Sequence, residues 1–204
     1  MKFDQTPHPD IENHYHIQHL INSQEKRADD RTYHRNRVKA LEEREDLIKE
    51  AKIARSKADR WLKQFIKDGV IRRIKERGRM PHYVSNCELP QYKNRKKLFA
   101  LNKLYASGFL NHLTSLPKAR TVIIFGSFAR SDWYSGSDID LFIYGEPEGL
   151  KLAEYEIKLN RDIQVFACSK KEELRKFGDG LIRNIIKGSI VKGDIGFVRV
   201  CVNA

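Results

Sequence analysis

Residues 126–140, Gly-Ser-Phe-Ala-Arg-Ser-Asp-Trp-Tyr-Ser-Gly-Ser-Asp-Ile-Asp, decide how the chain is understood. They follow Thr121-Val122-Ile123-Ile124-Phe125, an apolar, β-branched run suited to a buried strand. Gly126-Ser127 comes at once, and Phe128-Ala129-Arg130 can begin a helix. A Gly-Ser turn between a strand and a helix start presents backbone N–H groups and a hydroxyl to an anion. Ten residues then separate Ser127 from Asp138-Ile139-Asp140-Leu141-Phe142-Ile143, a second strand pattern that alternates carboxylates with bulky apolar residues.

At a period of two, Asp138 and Asp140 project from one face of that strand. Two like charges so close repel unless a cation lies between them. Structural use of such a pair is expensive, whereas a hard divalent cation wants a few carboxylate oxygens plus substrate phosphates. A third carboxylate, Asp162, heads the apolar strand pattern Arg161–Ala167, after a short predicted helix over Glu148–Leu159. If that strand lies beside the first, three carboxylates converge. Two metals held ~3.5–4 Å apart can then grip the attacking and leaving oxygens of an in-line displacement.

Residues 126–140 resemble the signature of the nucleotidyltransferase superfamily related to DNA polymerase β: a Gly-Ser, a spacer, Asp-x-Asp on a strand, and a later strand Asp. The Ala-Arg after Gly-Ser-Phe and the Ser-Asp-Ile-Asp-Leu core most resemble the minimal nucleotidyltransferases of bacteria and archaea, over roughly residues 121–194. The resemblance implies a small α/β domain with a mixed sheet flanked by helices. It implies that Gly126 and Ser127 hold the β- and γ-phosphates of an incoming nucleotide. Asp138, Asp140 and Asp162 become the catalytic, metal-binding carboxylates. The implied cofactors are two Mg²⁺ or Mn²⁺ ions, with an NTP, ATP first, as substrate. Arg130 stands where members often carry Arg; it either reaches the triphosphate or pairs with Asp132. The chain departs from the pattern at Ser131, where members often have Gly and where Ser-Asp-Trp-Tyr is added. The link from Asp140 to Asp162 is also short, with 21 intervening residues. The implied chemistry is transfer of a nucleoside monophosphate to an acceptor hydroxyl on a protein, a tRNA end or a small molecule. In paired toxin–antitoxin systems such domains act on a partner toxin, so a toxin protein is one implied partner.

Beyond Asp162, helices are predicted over Lys170–Phe177 and Leu181–Lys187, then a closing strand or turn over Gly188–Gly193. Lys187 and Lys192 are within the range of nucleotide contacts, though a solvated lysine is the plainer reading.

Upstream, Leu98, Leu101, Tyr105, Phe109, Leu113 and Leu116 recur at 3–4 spacing and predict one connector helix over 91–117, closed by Pro117. Before it, Tyr33, Val38 and Leu41 predict a helix, and Leu47, Ile48 and Ala51 a second. Ser56 offers an N-cap to a third, which carries Ala58, Trp61, Leu62, Phe65 and Ile66 and stops at Gly69. Strands at Val70–Ile74 and His82–Ser85 flank a basic turn. Three helices and a basic hairpin describe a winged helix-turn-helix over 29–90. Its third helix would offer Lys57, Arg60, Lys63 and Gln64 to a groove, and its wing Arg73, Lys75, Arg77 and Arg79 to phosphates. Double-stranded DNA is the favoured partner, and tRNA the other nucleic-acid candidate; many such folds instead dock proteins. Residues 1–28 are an extension in which His14, His16 and His19 lack a convincing metal partner.

The expected organisation is therefore an extension (1–28), a winged helix-turn-helix (29–90), a connector helix (91–117) and a nucleotidyltransferase domain (118–204). Charge agrees with that division. The 204 residues hold 39 basic and 27 acidic side chains, a formal net charge of +12. Residues 21–117 carry 24 basic and 12 acidic, while 118–204 carry 14 and 12. A polyanion-binding module joined to a different module fits this asymmetry. No apolar run approaches the ~20 residues of a spanning helix, and the polar opening MKFDQTPHPD predicts no signal peptide. Cys87, Cys168 and Cys201 are few and far apart, which predicts free thiols and a cytoplasmic protein. The leading expectation is an enzyme, a nucleotidyltransferase coupled to a nucleic-acid-binding winged helix. The alternative is a DNA-binding regulator or antitoxin whose nucleotidyltransferase domain senses nucleotide or docks a toxin.

Overall fold

The computed structural model describes residues 42–43 (backbone only), 48–49, 54–78, 80–133 and 137–198. The chain divides into two compact units, Met1–Lys96 and Lys97–Ala204. Among the described residues, no helix is long and apolar enough to cross a membrane, and Cys87 and Cys168 are free thiols. Cys201 lies outside the described residues, as do the predicted helix around Tyr33–Leu41 and the histidines of 1–28.

In the first unit, β1 (Glu42–Glu43), β3 (His82–Ser85) and β2 (Ile71–Ile74) form an antiparallel sheet in that spatial order. The hairpin of β2 and β3 falls where the sequence puts it. The two-residue strand β1 was not foreseen, since the second helix pattern begins beside it at Leu47; of that pattern, Ile48 and Lys49 are helical. Helix α1 (Arg55–Lys67) buries Ala58, Leu62 and Phe65 of the stripe its 3–4 spacing predicts, while Trp61 is half-buried and Ile66 exposed. Ser56 is not its N-cap: Ala54 is, with no side-chain cap, so Ser56 sits inside the first turn. Gly69 follows its end in the left-handed region. Leu62, Phe65, Val70, Ile71 and Tyr92 make the core, with Trp61, Tyr83 and Cys87 packed on it. Arg95 pairs with Asp68 beyond the last turn of α1.

The predicted single helix over 91–117 is two helices, α2 (Pro90–Ala106), which carries the division between the units, and α3 (Phe109–Ser115). Gly108 adopts φ +77, and the Ser107 hydroxyl donates to the Leu104 carbonyl and accepts from the Phe109 N–H. The break resets the helical phase. Phe109, Leu113 and Leu116 are buried as predicted, but in α2 the buried residues are Tyr92, Lys96, Phe99, Ala100 and Leu104. Leu98, Leu101 and Tyr105, assigned to the same stripe, are exposed.

The second unit is built on a four-stranded mixed sheet in the order β6-β5-β4-β7. Its strands are β4 (Ala119–Phe125), β5 (Ile139–Gly145), β6 (Ile163–Cys168) and β7 (Ser189–Lys192). β4 runs antiparallel to both neighbours, while β5 and β6 are parallel. From Leu141 to Gly145 every residue of β5 is buried, as suits a central strand covered on both faces. One face holds Ile123, Phe125, Phe142, Tyr144 and Cys168 under Ile185 and Phe197. Two short helices interrupt the sheet order, α4 (Gly126–Arg130) after β4 and α5 (Leu152–Leu159) after β5. The predicted helix over Lys170–Phe177 is a 3-10 segment, Lys171–Lys176, and α6 (Asp179–Ile186) follows.

Candidate active site

The site is assembled where β4 ends beside the start of β5. Phe125 pairs with Asp140 in antiparallel register, and the chain then turns at Gly126 with φ +69. A Cβ at Gly126 would stand 1.8 Å from Asp140 Oδ2 and 2.8 Å from its Cγ. Only glycine lets the backbone pass this close to that carboxylate. Ser127 follows, and Phe128, buried against the sheet, anchors the single turn of α4. Ser131 ends the helix at φ +64, its N–H donating to the Ser127 carbonyl. This is the position where the resembling pattern often has glycine, and an L-residue there costs about 1–2 kcal/mol.

Asp140 is partly buried between the buried Ile139 and Leu141, while Asp138 is exposed. Burial pushes the Asp140 carboxyl above the usual carboxylate range, and the charge of Asp138 pushes it the same way; Arg130 opposes both. The two carboxylates are thus electrostatically coupled, beside the turn that Gly126 makes possible. Asp162 enters from β6. The Ile139 N–H donates to the Asp162 carbonyl at 2.9 Å, and Ile139 pairs with Ile163, so Asp138 and Asp162 lie side by side where the parallel strands begin. Both line a recess of about 390 Å³ together with Glu156, Asn160 and Arg161. The Glu156 carboxylate accepts the Ile163 N–H, which fixes that wall.

Among the described residues, no three His, Cys, Asp or Glu side chains stand close enough together to hold an ion. The arrangement is a coupled pair, Asp138 and Asp140, with Asp162 joined to it through Asp138. Its chemistry still fits a hard divalent cation: the donors are carboxylate oxygens, and both burial and a like neighbour disfavour the charge on Asp140, a cost that a bound cation would relieve.

That electrostatic position has a sign. Native Asp140 holds its proton at pH values where the unfolded chain has released it. Its contribution to stability is therefore best below the ordinary carboxylate value and falls as pH rises through the raised native value. Asp140→Asn should raise the melting temperature at pH 7 in metal-free buffer, and that gain should vanish as pH drops below ~4. Thermal melts across the acid range measure it; a gain that persists unchanged at pH 3 would contradict the coupling.

Of the other predicted site residues, Arg130 takes the second of its two alternatives, its Nε donating to Asp132 Oδ2 at 2.9 Å. It still acts on Asp140. In the first unit, Arg60, Lys63 and Gln64 are exposed on α1 and Lys57 is half-buried, while the Gln64 amide donates to Asp68. Arg73, Lys75 and Arg77 are exposed along β2 and its turn; Arg79 lies outside the described residues. Two residues of the site escaped sequence reasoning. Trp133, within the added Ser-Asp-Trp-Tyr, is 1% exposed and stacks on Phe128 with ring centres 5.3 Å apart. Arg161 extends over both rings and donates to the Ser137 carbonyl. A tryptophan next to two polar residues in a loop was the available signal.

Residues 110–194 match the model of a family described as Polymerase beta, Nucleotidyltransferase. The matched span holds β4 through β7, with the Gly126-Ser127 turn and all three carboxylates. It supports a general nucleotidyltransferase activity for this part of the chain. No curated protein and no solved structure matches the chain.

Proposed function

We propose that the second unit transfers a nucleoside monophosphate from an NTP to an acceptor hydroxyl with release of pyrophosphate. The observation that carries this reading is the close approach of Gly126 to Asp140, with Asp138 coupled to the same carboxylate. Asp138 and Asp140 would hold Mg²⁺ or Mn²⁺, with Asp162 beside Asp138. Such ions, when bound, neutralise charge developing on the phosphates. Gly126 and Ser127 would seat the β- and γ-phosphates at the turn, and Arg130 would add a positive charge beside them. Asp162 is exposed beside Asp138, where an acceptor hydroxyl can lose its proton as its oxygen bonds to the α-phosphorus. The bond from that phosphorus to the bridging oxygen breaks, and pyrophosphate carries the electron pair away. The protein does little covalent chemistry; it positions and stabilises charge.

Label transfer tests the proposal. The purified chain with Mg²⁺ and each of the four NTPs labelled at the α-phosphate is incubated with host lysate or tRNA. Label on a protein or RNA band, absent from the Asp138→Asn/Asp140→Asn variant, is the expected result. No transfer under any condition, with nucleotide still bound, would replace the enzyme by a nucleotide sensor or toxin-docking module.

For the first unit, we propose a winged helix that binds duplex DNA. Its support is the sheet order β1-β3-β2, the helix α1 ahead of the hairpin, and the exposed Arg73, Lys75 and Arg77. Each phosphate neutralised releases a counterion, so affinity falls linearly with salt on logarithmic axes. Arg73→Ala and Lys75→Ala should each reduce that slope by about 1. A titration that tracks tRNA instead would make RNA the partner, and no salt dependence would leave a protein-docking module.

A further inference from the structure

Arg161 touches the loop between the Gly126 turn and Asp138 at three separate places. Its Nη1 donates at 2.8 Å to the carbonyl of Ser137, the residue directly before Asp138. Its guanidinium carbon lies 5.2 Å from the Phe128 ring centre and 5.1 Å from that of Trp133. Those two rings stack on one another at 18°. Phe128 follows Ser127 in α4, Trp133 lies in the added segment, and Asp162 follows Arg161 in the chain. One planar group therefore grips the loop at its start, its middle and its end.

A guanidinium drawn out of water is a costly way to fill space. Lys103 nearby adds to that cost, since its own ammonium is disfavoured first by burial and then by Arg161. An apolar side chain of the same length would pack more cheaply on Phe128 and Trp133. What it could not do is donate to the Ser137 carbonyl while holding a charge over both rings. Lysine could not do so either, since an ammonium lacks the plane and the fork.

We infer that Arg161 is a positioning residue: clamped on Phe128 and Trp133 and bonded to the Ser137 carbonyl, it sets the Asp138 carboxylate for divalent-cation binding. The inference rests on the proposed function only through the cation. Partners that orient a metal ligand typically change metal affinity about ten- to hundredfold when removed. Trp133 supplies half of the clamp, so the segment by which this chain departs from the resembling pattern has a definite task.

The test is Mn²⁺ titration of the full chain without nucleotide, by calorimetry, alongside thermal melts and hydrogen exchange at Asp138 and Ile139. Arg161→Lys should weaken Mn²⁺ by about ten- to hundredfold and speed exchange at both amides, with a melting temperature within a few degrees of the parent. Trp133→Phe keeps an aromatic ring and should shift both readouts the same way, less far. It carries the test if Arg161→Lys does not fold. Parental Mn²⁺ affinity and exchange in both variants would overturn the inference and leave the cation site standing. If instead Asp138→Asn binds Mn²⁺ as well as the parent, the cation reading itself fails. Exchange then decides: unchanged amides in Arg161→Lys overturn the clamp too.

Discussion

Asp138→Asn and Asp140→Asn should each lower nucleotidyl transfer by about 10³-fold or more, because each removes a full negative charge from a ligand while keeping its shape. Metal stabilisation of transition-state charge is worth several kcal/mol, and each 1.36 kcal/mol is tenfold in rate. The two variants should differ in stability, and that difference separates chemistry from folding. Asp138 is exposed, so its amide should change stability by no more than ~0.5 kcal/mol. Asp140 is partly buried and opposed by Asp138, so its amide should melt later than the parent at neutral pH. Loss of transfer with gain of stability is the signature of a charge kept for function. Single-turnover assays with labelled NTP, with melts in the same buffer, check it. An Asp140→Asn variant that transfers at even a tenth of the parental rate would remove Asp140 from the proposed machinery.

The strands around the site were legible because their signals are local. A β-branched run ending in Gly-Ser and an Asp-x-Asp ahead of an apolar run each fall on a strand edge, where the structure puts them. The hairpin at His82–Ser85 was legible for the same reason: Gly78 and Pro81 punctuate a short turn. What failed was phase. Leu98, Leu101 and Tyr105 share a spacing with Phe109 and Leu113, but the Ser107 hydroxyl and Gly108 end one helix and start another. Periodicity counts residues and does not register a break that preserves the spacing. Ser56 failed similarly, as a good cap residue placed inside the first turn of α1. The clamp was illegible on different grounds. Arg161 and Trp133 are 28 positions apart; a tryptophan in a polar loop marks burial locally, but nothing in the sequence marks the arginine that covers it. The bond of Arg161 runs to the Ser137 carbonyl across the strands, a partner 24 positions away in the chain.

The turn at Gly126 yields the second large effect. Gly126→Ala meets two separate penalties. The backbone at φ +69 disfavours any Cβ by about 1–2 kcal/mol. The new methyl also falls inside the Asp140 carboxylate, so the carboxylate must swing away from the turn or the backbone must open. Either movement takes Asp140 out of register with Asp138, so transfer should drop by about 10²–10³-fold, each 1.36 kcal/mol of lost stabilisation being tenfold. The melting temperature should fall as well, by about 2–4 °C per kcal/mol for a chain of this size. The two penalties come apart in an Asp140→Ala background. Truncation there removes the oxygen at 1.8 Å and the carbon at 2.8 Å and leaves only the Asp140 Cβ, at 3.2 Å. Gly126→Ala should therefore cost about 1 kcal/mol less in the Asp140→Ala background than in the parent, a coupling within the range of residues in contact. Equal cost in both backgrounds would mean that the glycine answers only to its backbone angle. The carboxylate would then have no part in choosing it, and the geometric link between the phosphate turn and the metal-binding strand would be lost.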